Sequence, residues 1–159
     1  VQKILIFKIC ILVFFLLNFS LKAKDIVGKA RVIDGDTIHI GINKIRLHGI
    51  DSPEMNQKCI YKKIQWQCGK QSAVRLKNLI NNKTVKCETN SIDNYDRYIA
   101  KCFINERNLN QIMVKSGWAI AYRYYSKDYI KEEMYARKNK LGIWKGKFEE
   151  PYLFRKRTK

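Results

Sequence analysis

At 159 residues, 46% hydrophobic and 29% charged, the chain has the length of one ordinary domain and enough apolar content to bury a core. No second domain, internal repeat or low-complexity linker is visible in it. Its 32 Lys and Arg against 14 Asp and Glu give a formal net charge of +18, and only Lys3, Lys8 and Lys22 of those cations precede residue 24. The folded part therefore carries +15 on residues 24–159, since the first 23 hold no acid. A field of this sign draws in polyanions and puts nucleic acid ahead of anionic lipid or a merely solubilising surface, although charge alone names no chemistry.

In chain order, the first feature is a leader. Lys3 and Lys8 flank the start of an apolar run, Ile9 to Leu17, and Asn18, Ser20 and Ala23 follow. This is the pattern of a secretory signal peptide cleaved after Ala23. The run is shorter than the ~20 residues that span a bilayer. With Lys8 snorkelling, Ile4 to Phe19 would serve instead as an uncleaved anchor. The expected organisation is a leader at 1–23, one domain at 24–146 and a basic tail at 147–159, frayed over Arg155 to Lys159. The expected location is outside the cytoplasm, secreted or periplasmic, with membrane attachment if the leader is kept. Cysteine usage agrees: Cys10 leaves with the leader, and Cys59, Cys68, Cys87 and Cys102 remain. An even number in a small exported domain points to two disulfides. Proximity favours Cys59–Cys68, and Cys87 with Cys102 suits a cross-strand bridge. The absence of any CxxC argues against zinc.

Residues 25–50 alternate with near period two through Ile26, Ala30, Val32, Ile38, Ile40, Ile42, Ile45, Leu47 and Ile50. Turn signals at Asp34-Gly35 and at Gly41 divide them into three antiparallel strands, the third running on to Asp51-Ser52-Pro53. Residues 55–67 read as polar and irregular. A helix fits 69–81, with Ala73, Leu76, Leu79 and Ile80 on one face. Strands follow at about 84–88 and 98–104, joined by a polar loop, Thr89 to Arg97. A short helix fits 108–116 before Gly117, Trp118 to Tyr122 is extended, and Ser126 caps a last helix running to Lys140. This order predicts an α+β fold, most naturally a five-stranded OB-type β-barrel with helices packed on it.

Three clusters could carry chemistry: Asp34-Gly35-Asp36-Thr37, Arg46 to Glu54, and Asp93-Asn94-Tyr95-Asp96-Arg97. Phosphodiester hydrolysis needs a carboxylate to take a proton from water, arginines to clamp the phosphate, and a hard cation held by carboxylates. Each cluster alone has a plainer meaning. Asp-Gly-Asp-Thr is an ordinary hairpin turn, Asp-Ser-Pro-Glu a strand exit or helix cap, and Asp96 with Arg97 a weak surface pair. His39 and His48 lack a partner at metal spacing and read as structural.

In combination the clusters closely resemble the staphylococcal nuclease (thermonuclease) family. The matching text is Val32-Ile33-Asp34-Gly35-Asp36-Thr37, then Ile45 to Glu54, then Asp93 to Tyr98, followed by Gly117-Trp118-Ala119, Tyr122, Tyr124 and Leu141-Gly142-Ile143-Trp144. The resemblance spans roughly residues 25–146. It implies a five-stranded OB-type barrel with about three helices and a monomeric, calcium-dependent endonuclease needing no obligate protein partner. Such an enzyme would hydrolyse DNA and RNA with little sequence preference and leave 3′-phosphate ends. It further implies Asp36 and Asp51 as calcium ligands with the Ser52 carbonyl, Glu54 as general base, Arg46 and Arg97 on the phosphate, and Tyr95, Tyr122 and Tyr124 near the nucleotide. Ser52 stands where the family has Thr. Asp96 stands where it usually has Gly, placing a negative charge beside Arg97. The loop 55–68 carries two cysteines that staphylococcal nuclease lacks. The rival function is a non-catalytic OB-type module that binds nucleic acid, which would be expected to lose the carboxylates. A basic protein binding anionic polysaccharide or lipid would need the charge alone.

Overall fold

The computed structural model describes residues 25–158; the expected leader at 1–23, with Cys10, lies outside them. Ten strands form as β1 (Asp25–Val32), β2 (Thr37–Ile40), β3 (Asn43–Leu47), β4 (Ile50–Asp51), β5 (Cys59–Tyr61), β6 (Ile64–Trp66), β7 (Thr84–Ile92), β8 (Tyr98–Ile104), β9 (Arg107–Asn108) and β10 (Ile120–Ala121). The helices are α1 (Cys68–Ile80), α2 (Leu109–Lys115), α3 (Ile130–Lys138) and α4 (Pro151–Thr158), with a 3₁₀ turn at Gly142–Lys145.

The period-two alternation becomes the wall of a barrel. Strands run in the order β3-β2-β1-β7-β8, and β3 also pairs with β8, so the sheet closes on itself and leaves no open edge among these five. All the pairings are antiparallel except the closing one, where Ile45, Arg46 and Leu47 lie parallel to Tyr98, Ile99 and Ala100. Ile38, Ile45, Leu47, Val85 and Ala100 fill the interior, and Leu76, Leu109 and Met113 from the helices cap it. Gly41, at φ 58°, makes the two-residue turn that pairs Ile40 with Asn43. The fold is thus the α+β, OB-type barrel anticipated.

Five main boundaries differ from the expectations. Strand β7 runs to Ile92 through a bulge between Thr89 and Ser91, so the polar loop expected over Thr89 to Arg97 shortens to 93–97. The third strand stops at Leu47 instead of running to Asp51. Gly49, at φ 72°, bends the chain, and the short β4 leaves the barrel to pair with β10. The buried Asn110 fixes this bend: its side chain donates to the carbonyls of His48 and Ala100 and accepts from Cys102 N. Residues 55–67 contain a small hairpin, β5–β6, turned by Lys62 and Lys63 at φ 49° and 66°. Two successive left-handed residues define the hairpin turn, but lysine there gives no Asn-Gly signal. Ser126 does not cap the last long helix; its hydroxyl accepts from Asp128 N in the turn before it, and α3 begins at Ile130. Finally, Arg155 to Thr158, expected to be frayed, belong to a helix over Pro151–Thr158, making four α-helices among the described residues against about three expected.

Both disulfides form as the spacing suggested. Cys87 and Cys102 face each other across β7 and β8, and Cys59 on the hairpin joins Cys68, the first residue of α1. Their presence fits an oxidising compartment. No helix among the described residues is long and apolar enough to cross a membrane. Reducing both bonds is expected to destabilise the fold by ~2–5 kcal/mol. Urea denaturation with and without reductant checks this, and superimposable curves would rule the bridges out as stabilising links.

Candidate active site

The β1–β2 turn supplies Asp34 and Asp36, β3 supplies Arg46, and the bend into β4 supplies Asp51. Arg46 lies directly across the ladder from Thr37, so its side chain reaches the adjacent Asp36. Its guanidinium forks between the two carboxylates, with Nη1 donating to Asp36 Oδ1 at 2.9 Å and Nη2 to Asp51 Oδ1 at 2.9 Å. Asp36 Oδ2 accepts from the backbone N of Ser52 at 2.8 Å, and Asp36 Oδ1 from Thr37 Oγ1 at 3.2 Å. Asp36, Asp51 and Ser52 are all buried, with Asp51 at 0% exposure. Burial opposes the charge on Arg46, but Asp36 and then Asp51 outweigh it and hold the guanidinium above its usual range.

Asp34 accepts a hydrogen bond from Asp36 N at 2.9 Å, and its carboxyl is pushed up to about 7, first by burial and second by repulsion from Asp36. Burial likewise raises Asp51, with Asp36 adding to the rise and Arg155 and Arg46 opposing it. Gly35, between Asp34 and Asp36, is required by close approach: a Cβ there would lie 2.0 Å from Ser72 Oγ and 2.2 Å from Ser52 Oγ.

Glu54 stands at the edge of this cluster, its side chain 31% exposed. Its loop is built around Gln57, a fully buried side chain that accepts from Glu54 N at 3.1 Å and donates to the Glu149 carbonyl at 2.7 Å. Underneath, Gly69 presses on the same loop.

Across the cleft, Arg97 is held by Asp93, Nε and Nη2 donating to Asp93 Oδ2 at 2.9 and 2.7 Å. Burial would raise the Asp93 carboxyl, but hydrogen bonds from the Arg97 side chain, Arg97 N and Tyr95 N outweigh it and hold the group below its ordinary range. The partner of Arg97 is therefore Asp93 and not Asp96. Asp96 is exposed at φ 57°, in the left-handed region that aspartate tolerates better than most residues. The Tyr95 ring lies 5.3 Å from the Arg97 guanidinium.

These groups line one cleft of ≈ 780 Å³ that contains Arg46, Glu54, Tyr95, Arg97 and Tyr122 on its walls. Asp36, Asp51 and Ser52 sit behind it rather than on its surface. Tyr124 does not line the cleft: it is 83% exposed and packs edge-on against Tyr125, which does. Tyr152, Arg155 and Lys156 of α4 also line it, and Arg155 reaches the carboxylates themselves. Neither Arg155 nor Gln57 was anticipated from sequence. A single Gln in a polar loop and one Arg in a basic stretch carry no periodic or motif signal.

Two buried carboxylates side by side, with hydroxyl and carbonyl groups next to them, are the hard oxygen donors that a calcium-type cation takes. Among the described residues no three His, Cys, Asp or Glu side chains form a metal cluster. The fit is therefore to an ion that completes its shell with backbone carbonyl, water or substrate phosphate.

The family model for staphylococcal nuclease homologues matches residues 44–146. Similar proteins include a micrococcal nuclease of Shigella flexneri, 31% identical over 150 residues, covering 81% of this chain and 79% of that one. An uncharacterized endonuclease of Haemophilus influenzae is 30% identical over 150 residues, covering 90% and 79%. The succinoglycan biosynthesis protein ExoI of Rhizobium meliloti is 33% identical over 131 residues, covering 80% and 69%.

Two outcomes are expected of this geometry. A Cβ at Gly69 would lie 1.7 Å from the Glu54 carbonyl oxygen, so Gly69→Ala must displace that loop. A fall in stability of about 1–3 kcal/mol is expected from the urea midpoint, and an unshifted midpoint would mean the close approach is not there. The second concerns pH. Asp34 holds its proton more tightly folded, near 7, than at the ordinary 3.8, so the stability it contributes is present below 3.8 and lost as pH rises through 7. In metal-free protein Asp34→Asn should flatten that decline in a series of melting curves between pH 4 and 7.

Proposed function

The chain belongs to the staphylococcal nuclease family, and on that premise we propose that it is a calcium-dependent endonuclease, hydrolysing phosphodiester bonds of DNA and RNA. Family membership itself carries nucleic acid as the substrate class and a divalent cation as the general requirement. The observation that supports an active enzyme is the convergence of Arg46, Glu54 and Arg97 on one cleft backed by Asp36 and Asp51. A binding module would have no use for this set of buried acids, and none of the five is missing here.

In the proposed reaction Arg46 and Arg97 take a phosphate of the backbone through their guanidinium forks, and Tyr95 and Tyr122 give neighbouring bases an aromatic face. Glu54 accepts the proton of the attacking water, and its partial exposure leaves room for that water. As charge grows on the equatorial phosphate oxygens, the two guanidiniums stabilise it more than they stabilise the ground state. Asp36, Asp51 and the Ser52 carbonyl would hold calcium, which when bound supplies Lewis-acid polarisation of the phosphate. As the water oxygen bonds to phosphorus the P–O5′ bond breaks, the leaving 5′-oxygen takes a proton from solvent, and the products are a 3′-phosphate end and a 5′-hydroxyl. Secretion or periplasmic release is part of the proposal, supported by the two disulfides.

The chain from residue 24 onward should cut single- and double-stranded DNA and RNA in calcium and stop on chelation. Glu54→Gln should keep nucleic-acid binding and lose on the order of 10²–10⁴ in rate. Tight binding with no cutting in either condition would instead establish the binding module.

A further inference from the structure

Arg155 enters the site from α4 and makes contacts there that the reaction above does not use. Its Nη1 donates to Asp51 Oδ1 and to Glu54 Oε1, both at 2.8 Å, and its Nη2 donates to Asp51 Oδ2 at 3.1 Å. Together with Arg46 Nη2, also on Oδ1, these bonds occupy both oxygens of a carboxylate that has no solvent exposure. A cation with six to eight oxygen ligands at about 2.3–2.6 Å would need those same lone pairs. It would also have to sit at ion-pair distance from a guanidinium. Burial opposes the charge of Arg155, and Asp51 and Glu54 more than offset it, so the side chain stays cationic and does not yield by losing a proton.

Little else fastens the middle of α4. Pro151 is buried and Gln57 grips the Glu149 carbonyl just before it, which fixes the root of the helix. Beyond that root Tyr152 and Leu153 are 44% and 46% exposed, and Arg157 pairs back to Glu149 and lies over the Phe154 ring, both on the same segment. The helix is anchored at 149–151 and tied to the cleft through Arg155.

We propose that Arg155 is an internal competitor for the cation site, so that α4 closes the cleft in metal-free protein and is released when a divalent cation takes Asp51. This rests on the reading of Asp51 as a cation ligand. If α4 were closed about 90% of the time, apparent cation affinity would be weakened about tenfold.

The test is calorimetric titration of calcium into the chain from residue 24 onward, as wild type, Arg155→Gln, Arg155→Lys and Asp51→Asn. Amide hydrogen exchange of residues 151–158 in the wild type, with and without calcium, accompanies it. Arg155→Gln should bind calcium about tenfold more tightly, Arg155→Lys should fall between, and Asp51→Asn should not bind. Saturating calcium should speed exchange across α4. Equal calcium affinity in wild type and Arg155→Gln, or weaker affinity in the variant, would overturn the competition and leave the cation site standing. Unchanged exchange in α4 at saturating calcium would do the same without relying on a variant's folding. No calcium binding by any form would remove the calcium reading and the competitor together.

Discussion

Two carboxylates, Asp36 and Asp51, are buried side by side, and the local architecture answers that constraint. Like charges so placed repel and lose hydration, and they persist only if cations and donors face them. Arg46 answers first, spreading one guanidinium over both. Its position follows from the barrel: β2 and β3 pair Thr37 with Arg46, and the parallel closure onto β8 fixes β3 in place. The bend at Gly49 then swings Asp51 back toward Asp36, and Asn110 holds that bend by satisfying the carbonyls it exposes. Barrel closure and charge placement are thus a single arrangement rather than a scaffold with a site added.

The same constraint explains why the neighbourhood is dense in polar support. Ser52 N turns toward Asp36, Asp34 accepts from Asp36 N, and Gly35 lets Ser52 and Ser72 approach the turn closely. The Glu54 loop is secured independently, by Gln57 from within and by the Cys59–Cys68 bridge that ties the following hairpin to α1. A flexible acid beside a rigid pair of acids would let repulsion choose its position; here the loop is clamped at both ends.

What sequence conveyed was whatever repeats or recurs. The alternation from Ile26 to Leu47 marked the barrel strands, the face of Ala73, Leu76 and Ile80 marked α1, and the acid and arginine clusters stood together in the order the fold brings them together. What it withheld was tertiary. The break at His48–Gly49 is set by Asn110, sixty-two residues away along the chain. Ser126 looked like a helix cap because Ser suits one, yet its hydroxyl serves the turn before, and the buried Tyr129 occupies the cap position. Arg155 lies in a run of basic residues where nothing distinguishes it from Lys156 or Arg157. Only the path of α4 across the cleft singles it out.

The arginines of the cleft are already paired with protein carboxylates: Arg46 with Asp36 and Asp51, Arg97 with Asp93, Arg155 with Asp51 and Glu54. Such paired cations hold few mobile anions, so a phosphate arriving there releases little salt. The unpaired lysines of the outer surface do hold them, and their release is what makes polyanion binding weaken as ionic strength rises. Salt and the cleft therefore report different things about this molecule. The steep, ionic-strength-dependent part of its affinity belongs to the lysine field that gathers the strand, and the part that survives in high salt belongs to the cleft.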